Sequence, residues 1–77
     1  MYEARIYYHN GKTQLKKEGF EIRIKGADGL WGMDKFFPLY CLNGQDENNF
    51  IHFSVLTHLD NLRALGYKVN LNIYKAE

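Results

Sequence analysis

Apolar and polar residues alternate over the first stretch of the chain, with Tyr2, Ala4, Ile6 and Tyr8 on one side and Glu3, Arg5, Tyr7 and His9 on the other. A repeat of two is the mark of a half-buried strand. Asn10-Gly11 follows, a pair suited to the two positive φ angles of a type I′ turn. A returning strand over Lys12 to Lys16 is therefore expected, the alternative being a short helical turn capped by Thr13 and ending at Gly19. Phe20, Ile22 and Ile24 then alternate with Glu21, Arg23 and Lys25, until Gly26 and Asp28-Gly29 close a second strand. From Leu30 to Lys35 no period fits, and with Trp31 between Gly29 and Gly32 the segment reads as a loop. Phe36 to Leu42 is apolar but contains Pro38, which has no N–H to give a ladder, so an edge strand or an irregular extended piece is expected. The polar run Asn43 to Asn49 is a solvated connection, and Phe50 to Val55 is strand-like with Ile51, Phe53 and Val55 inward.

The period then changes. Leu56, Leu59, Leu62 and Leu65 recur every third residue, with Val55 as an i, i+4 partner of Leu59, which predicts one amphipathic helix over about 56–65. Thr57 is its expected N-cap with Asp60 three residues on, and Gly66 its C′ stop, with Tyr67 folding back on Leu62. In the last strand Tyr67, Val69, Leu71 and Ile73 face inward and Lys68, Asn70, Asn72 and Tyr74 outward, a stripe that suits a central position. The order is β-β-β-(β)-β-α-β. It predicts an α+β protein, a single domain over residues 1–77, with a mostly antiparallel sheet of four to five strands and the helix packed on one face. A parallel pair spanning the helix would cross over in the right-handed sense.

Length and composition narrow the classes. A chain of 77 residues has room for one core, and 45% hydrophobic with 16% aromatic residues is the composition of a folded globule. No apolar run approaches the ~18 residues of a bilayer span. Charge at Glu3 and Arg5 speaks against a secretory signal, and a single Cys41 cannot form an internal disulfide, so a cytoplasmic location is expected. Net charge is +1, with seven Lys/Arg against five Asp/Glu up to Pro38 and three against four beyond it. Neither the basic stripe of a typical nucleic-acid binder nor the acidity of a DNA mimic is present.

The chemical motifs are fragments. Gly11-Lys12-Thr13 resembles only the end of a phosphate-binding loop, with Tyr7 and Tyr8 standing where glycines are needed. His52 and His58, with Asp60 nearby and Cys41 upstream, do not make a four-ligand zinc set. A Cys-His dyad would need Cys41 activated in a cleft, and paired-carboxylate, GxSxG and HExxH patterns are lacking. No catalysis, cofactor or metal is expected.

The aromatic residues carry more. Trp31 is preferred as a plug over the open edge of the core, with an exposed anchor for a partner as the alternative. Tyr7 and Tyr74 sit at outward positions where β propensity alone favours tyrosine, but Tyr7 also falls beside Arg5, Arg23 and Lys25. Such a mixture suits a protein partner or stacked single-stranded nucleic acid, while Glu3 and Glu21 on the same face favour cross-strand ion pairs over a phosphate track. The candidate partner-binding residues are Arg5, Tyr7, Arg23, Lys25, Trp31, Phe36, Phe37 and Tyr74. The expected function is non-catalytic protein binding. The chain reads as a complete small gene product, and small proteins without catalytic motifs are often inhibitors or adaptors of phage or mobile-element type, such as anti-CRISPR and anti-restriction proteins, that dock on a host complex. A nucleic-acid binder using Arg5, Lys12, Lys16, Lys17, Arg23 and Lys25 is the alternative, as is a structural oligomer, and pairing at a strand edge would permit a homodimer.

Overall fold

The computed structural model describes residues 2–38 and 53–76. Strands β1 (Glu3–Asn10), β2 (Glu18–Lys25) and β3 (Trp31–Pro38) precede helix α1 (Phe53–Ala64) and strand β4 (Lys68–Lys75). Among the described residues they build a four-stranded sheet in the order β3-β2-β1-β4 with one helix. The fold is α+β as expected, but the sheet is mixed. β1 pairs antiparallel with β2, and β2 with β3, whereas β1 and β4 run parallel. β3 and β4 thus point the same way from opposite edges of the sheet, so the chain between them must return along its length. Among the described residues β4 lies on the edge, not in the centre where its apolar stripe suggested.

The core is a single cluster between sheet and helix. Ala4 and Ile6 of β1, Phe20 and Ile22 of β2 and Phe37 of β3 meet Val55, Leu59 and Leu62 of α1. Tyr8, Ile24, Tyr67, Val69 and Ile73 close its margins. The helical stripe is 55, 59 and 62, while Leu56 and Leu65 are 39% and 71% exposed. Steps of three residues fall about 60° short of a full turn, so leucines at every third position wind away from the buried face. The helix also begins earlier than its leucines imply. Residues 53–55 are helical where a strand was expected, because Val55 lies one turn before Leu59 on the same face, and Thr57 is inside the helix and cannot be its N-cap. Residues 39–52, which hold the rest of the two expected strand segments and the polar connection, lie outside the described residues. At the other end Gly66, with φ of 100°, closes α1. Its N–H donates to the Arg63 carbonyl and that of Tyr67 to the Leu62 carbonyl, each at 3.0 Å, which satisfies two carbonyls the helix leaves open.

Three irregularities shape the sheet. β1 and β2 part at Asn10 and Glu18, so residues 11–17 form a loop and no strand covers 12–16. Asn10 Oδ1 accepts from the Lys12 N–H at 2.9 Å, and the Lys16 N–H donates to the Thr13 carbonyl at 3.0 Å, one tight turn held by a buried Thr13. In β3, Met33 faces Arg23 and Lys35 faces Ile22, which leaves Asp34 as an extra residue. This bulge breaks the alternation of Trp31 to Lys35, and so a strand stands where the broken period suggested a loop. In β4, Asn70 faces Arg5 and Ile73 faces Ile6, so Leu71 and Asn72 are pushed out of the ladder and Leu71 is 51% exposed instead of inward. Gly19 has a different constraint: opposite Pro38, a Cβ there would lie 2.2 Å from the Phe37 carbonyl oxygen, so the two backbones meet only because the side chain is missing. No described helix is long and apolar enough to cross a membrane.

Candidate functional site

The face of the sheet turned away from α1 carries the side chains that the core excludes. Alternation along β1 places Glu3, Arg5, Tyr7 and His9 there, and the pairing brings Lys25, Arg23 and Glu21 of β2 beside them in that order. β3 adds Trp31 opposite Lys25, Met33 opposite Arg23 and Phe36 opposite Glu21, and β4 adds Asn70 and Tyr74 opposite Arg5 and Tyr7. The bulges in β3 and β4 keep these residues on one side after each register shift.

Cations and rings interleave across this face. The Arg5 guanidinium lies 4.5 Å from the Trp31 ring centre and 5.1 Å from that of Tyr74. Tyr74 stacks on Tyr7 at 5.4 Å, and Arg23 covers the Tyr7 ring at 3.9 Å. Lys25 Nζ is 5.3 Å from the Trp31 ring and 3.5 Å from Glu3 Oε1. Asn70 Nδ2 donates to the Tyr74 hydroxyl at 3.0 Å and fixes that ring. Side chains of Arg5, Arg23 and Lys25 keep 31%, 33% and 29% of their exposure, so the face is ordered and still reachable. The Arg5 guanidinium is held above its ordinary pKa, first by the Tyr7 hydroxyl beside it, with partial burial pulling the other way and the charges of Tyr74, Tyr7 and Glu3 adding to the rise.

A second element was not legible in the sequence. At the loop end of this face His9 is buried, its Nδ1 2.7 Å from Thr13 Oγ1 and its Nε2 2.6 Å from Glu21 Oε1. Arg23 Nε lies 3.0 Å from the same carboxylate oxygen. Hydroxyl, imidazole and carboxylate stand in the order of a nucleophile relay. Thr13, however, is 5% exposed, and the adjoining hollow of about 180 Å³ is walled by His9, Gln14, Leu15, Glu21, Arg23 and Met33, not by Thr13. The arrangement therefore ties the loop to the sheet. The spacing of four between His9 and Thr13 brings the two together only because the loop turns inward.

On the helix side, His58 hydrogen-bonds through Nε2 to Asp34 at the β3 bulge, beside an open hollow of about 320 Å³ lined by Lys35, Phe37, Ser54, Thr57, His58 and Asn61. Asp60 instead pairs with Arg63. Among the described residues no three His, Cys, Asp or Glu side chains converge in a metal-binding group, and Cys41 and His52 lie outside those residues.

Of the eight residues singled out from sequence, the sheet brings Arg5, Tyr7, Arg23, Lys25, Trp31, Phe36 and Tyr74 to one face. Phe37 is not among them: it faces Phe20, is 9% exposed and belongs to the core, because neighbours in a strand point to opposite sides. Trp31 does not plug the core but lies across the sheet from it, half-buried against Arg5 and Lys25. No family model, no curated protein and no solved structure matches this chain.

Proposed function

We propose that this protein is a non-catalytic binding protein that docks on a protein partner through the open face of its sheet. The carrying observation is the stack Trp31, Arg5, Tyr74, Tyr7, Arg23 on a partly exposed surface. Tryptophan, tyrosine and arginine are the residue types that dominate binding hot spots, and held rings lose little conformational entropy on association. Single-stranded nucleic acid fits this face less well. The rings that would receive bases are covered by guanidinium groups or by each other, and Glu3 and Glu21 offset part of the positive charge. The finer reading, an inhibitor or adaptor occupying one surface of a larger complex, draws support from the same row of partly exposed rings and guanidinium groups running across the sheet.

The test uses a photo-crosslinking amino acid placed at Met33, which is 54% exposed on the open face, and in a second sample at the exposed Asn61 of α1. In lysate of the source cells a discrete crosslinked protein from position 33, absent from position 61 and lost on Trp31→Ala, is the expected result. Equal labelling from both positions, or a crosslink to nucleic acid alone, would discard the reading.

A further inference from the structure

Two arginines stand directly opposite each other on the open face, Arg5 on β1 and Arg23 on β2, and their surroundings differ. Like charges in directly opposed positions repel unless something neutralises them. Arg23 is neutralised: its Nε meets Glu21 at 3.0 Å while its plane covers Tyr7. Arg5 is not. Among the described residues its one carboxylate is Glu3 at 3.9 Å, the outer limit of an ion pair, and Glu3 is already shared with Lys25 at 3.5 Å. Arg5 Nε is enclosed without a hydrogen-bond acceptor among the described residues. The side chain nonetheless remains 31% exposed, held between Trp31 and Tyr74. A guanidinium fixed between rings, short of an anion and open at one side, is preorganised for a planar carboxylate, because the fork loses little freedom on pairing.

Resting on the docking reading above, we propose that the partner presents an acidic stretch whose carboxylate is taken by Arg5, with Trp31 and Tyr74 as the walls that orient it. Lys25 and Arg23 on the neighbouring strand are each paired with a glutamate, at 3.5 Å and 3.0 Å, so the surplus positive charge that draws a negative segment is centred on Arg5. Glu21 and Glu3 limit the surplus charge, which selects a short acidic segment over a long polyanion.

The probe is an acetylated and amidated Asp-Glu hexapeptide, titrated into isotopically labelled protein and followed by the Arg5 Nε–H and Trp31 Nε1–H resonances. A hexalysine peptide and an eight-nucleotide oligothymidylate serve as comparators. Saturable movement of both resonances with the acidic peptide is expected, none with hexalysine, and weakening with added salt. Arg5→Gln should lower the affinity at least tenfold, and Arg5→Lys should leave an intermediate affinity with the salt dependence intact; dispersed amide spectra check that each variant is folded. Movement confined to Lys12, Lys16 and Lys17, affinity unchanged in a folded Arg5→Gln protein, or tighter binding of the oligothymidylate overturns the proposal, as does the lack of any response. A partner that crosslinks at position 33 but is indifferent to Arg5→Gln defeats this inference and leaves the docking reading standing.

Discussion

On the helix side of the sheet Ile6, Phe20 and Ile22 meet Val55 and Leu59 with at most 1% exposure, while on the other side Arg5, Arg23 and Lys25 keep roughly a third of theirs. The first side is held by area removed from water, where each large apolar side chain contributes about 1.5–3 kcal/mol. The second is held by cations on rings, each contributing about 0.5–1 kcal/mol where water still has access. One face is therefore stable because it is closed, and the other is ordered without being closed. That difference separates what a residue does for folding from what it does for docking, and substitutions on the two faces should pull the two properties apart.

The sharpest break is Leu59→Ala, which removes the centre of the helical stripe and should cost about 2–5 kcal/mol in urea unfolding while the folded fraction keeps its response to acidic peptide. A cost below 1 kcal/mol would mean that the helix does not seal the sheet. Gly19→Ala comes next, because its Cβ would collide with the Phe37 carbonyl; roughly 1–3 kcal/mol of destabilisation is expected, and a neutral result would contradict the close strand approach. Glu21→Gln leaves His9 and Arg23 without their shared carboxylate, and a loss of about 1–3 kcal/mol should show in thermal unfolding. Trp31→Ala should cost only about 1 kcal/mol of stability yet abolish crosslinking from position 33, so a large stability loss with docking intact would reverse its assignment. Leu71→Asp, at a side chain pushed out of the ladder, should change stability by no more than about 0.5 kcal/mol.

How far the sequence foretold this depends on where the backbone keeps its period. β1 and β2 were legible because Glu3 to His9 and Phe20 to Lys25 alternate without interruption, and the Gly66 stop because a helix end at glycine is a local matter. β3 was hidden by Asp34, one inserted residue that cancels the repeat on either side of it, whereas in β4 two residues, Leu71 and Asn72, leave the ladder, so the alternation survives but Leu71 is lifted off the inward face. The parallel seating of β4 is a property of connections and not of stripes, so an apolar strand could not announce its neighbour. For the candidate site, Tyr7, Arg5, Arg23 and Lys25 followed from alternation alone. Trp31 and Phe37 needed the bulge to be known first, and the His9 contacts needed the path of the Gly11 to Lys17 loop.

The side-by-side placement of β1 and β4 sets an order of assembly. Hairpin contacts let the three leading strands gather early, but closing the long excursion from Ala4 to Val69 is opposed by chain entropy until β4 is seated. During that interval the outer margin of β1 offers a bare row of amides and carbonyls, the kind of template that recruits a foreign strand. A nascent or truncated chain halted before Gly66 is accordingly the species in which the β1 margin stays bare, and the eight residues of β4 are the latch that covers it, leaving the outer row of β4 as the edge among the described residues.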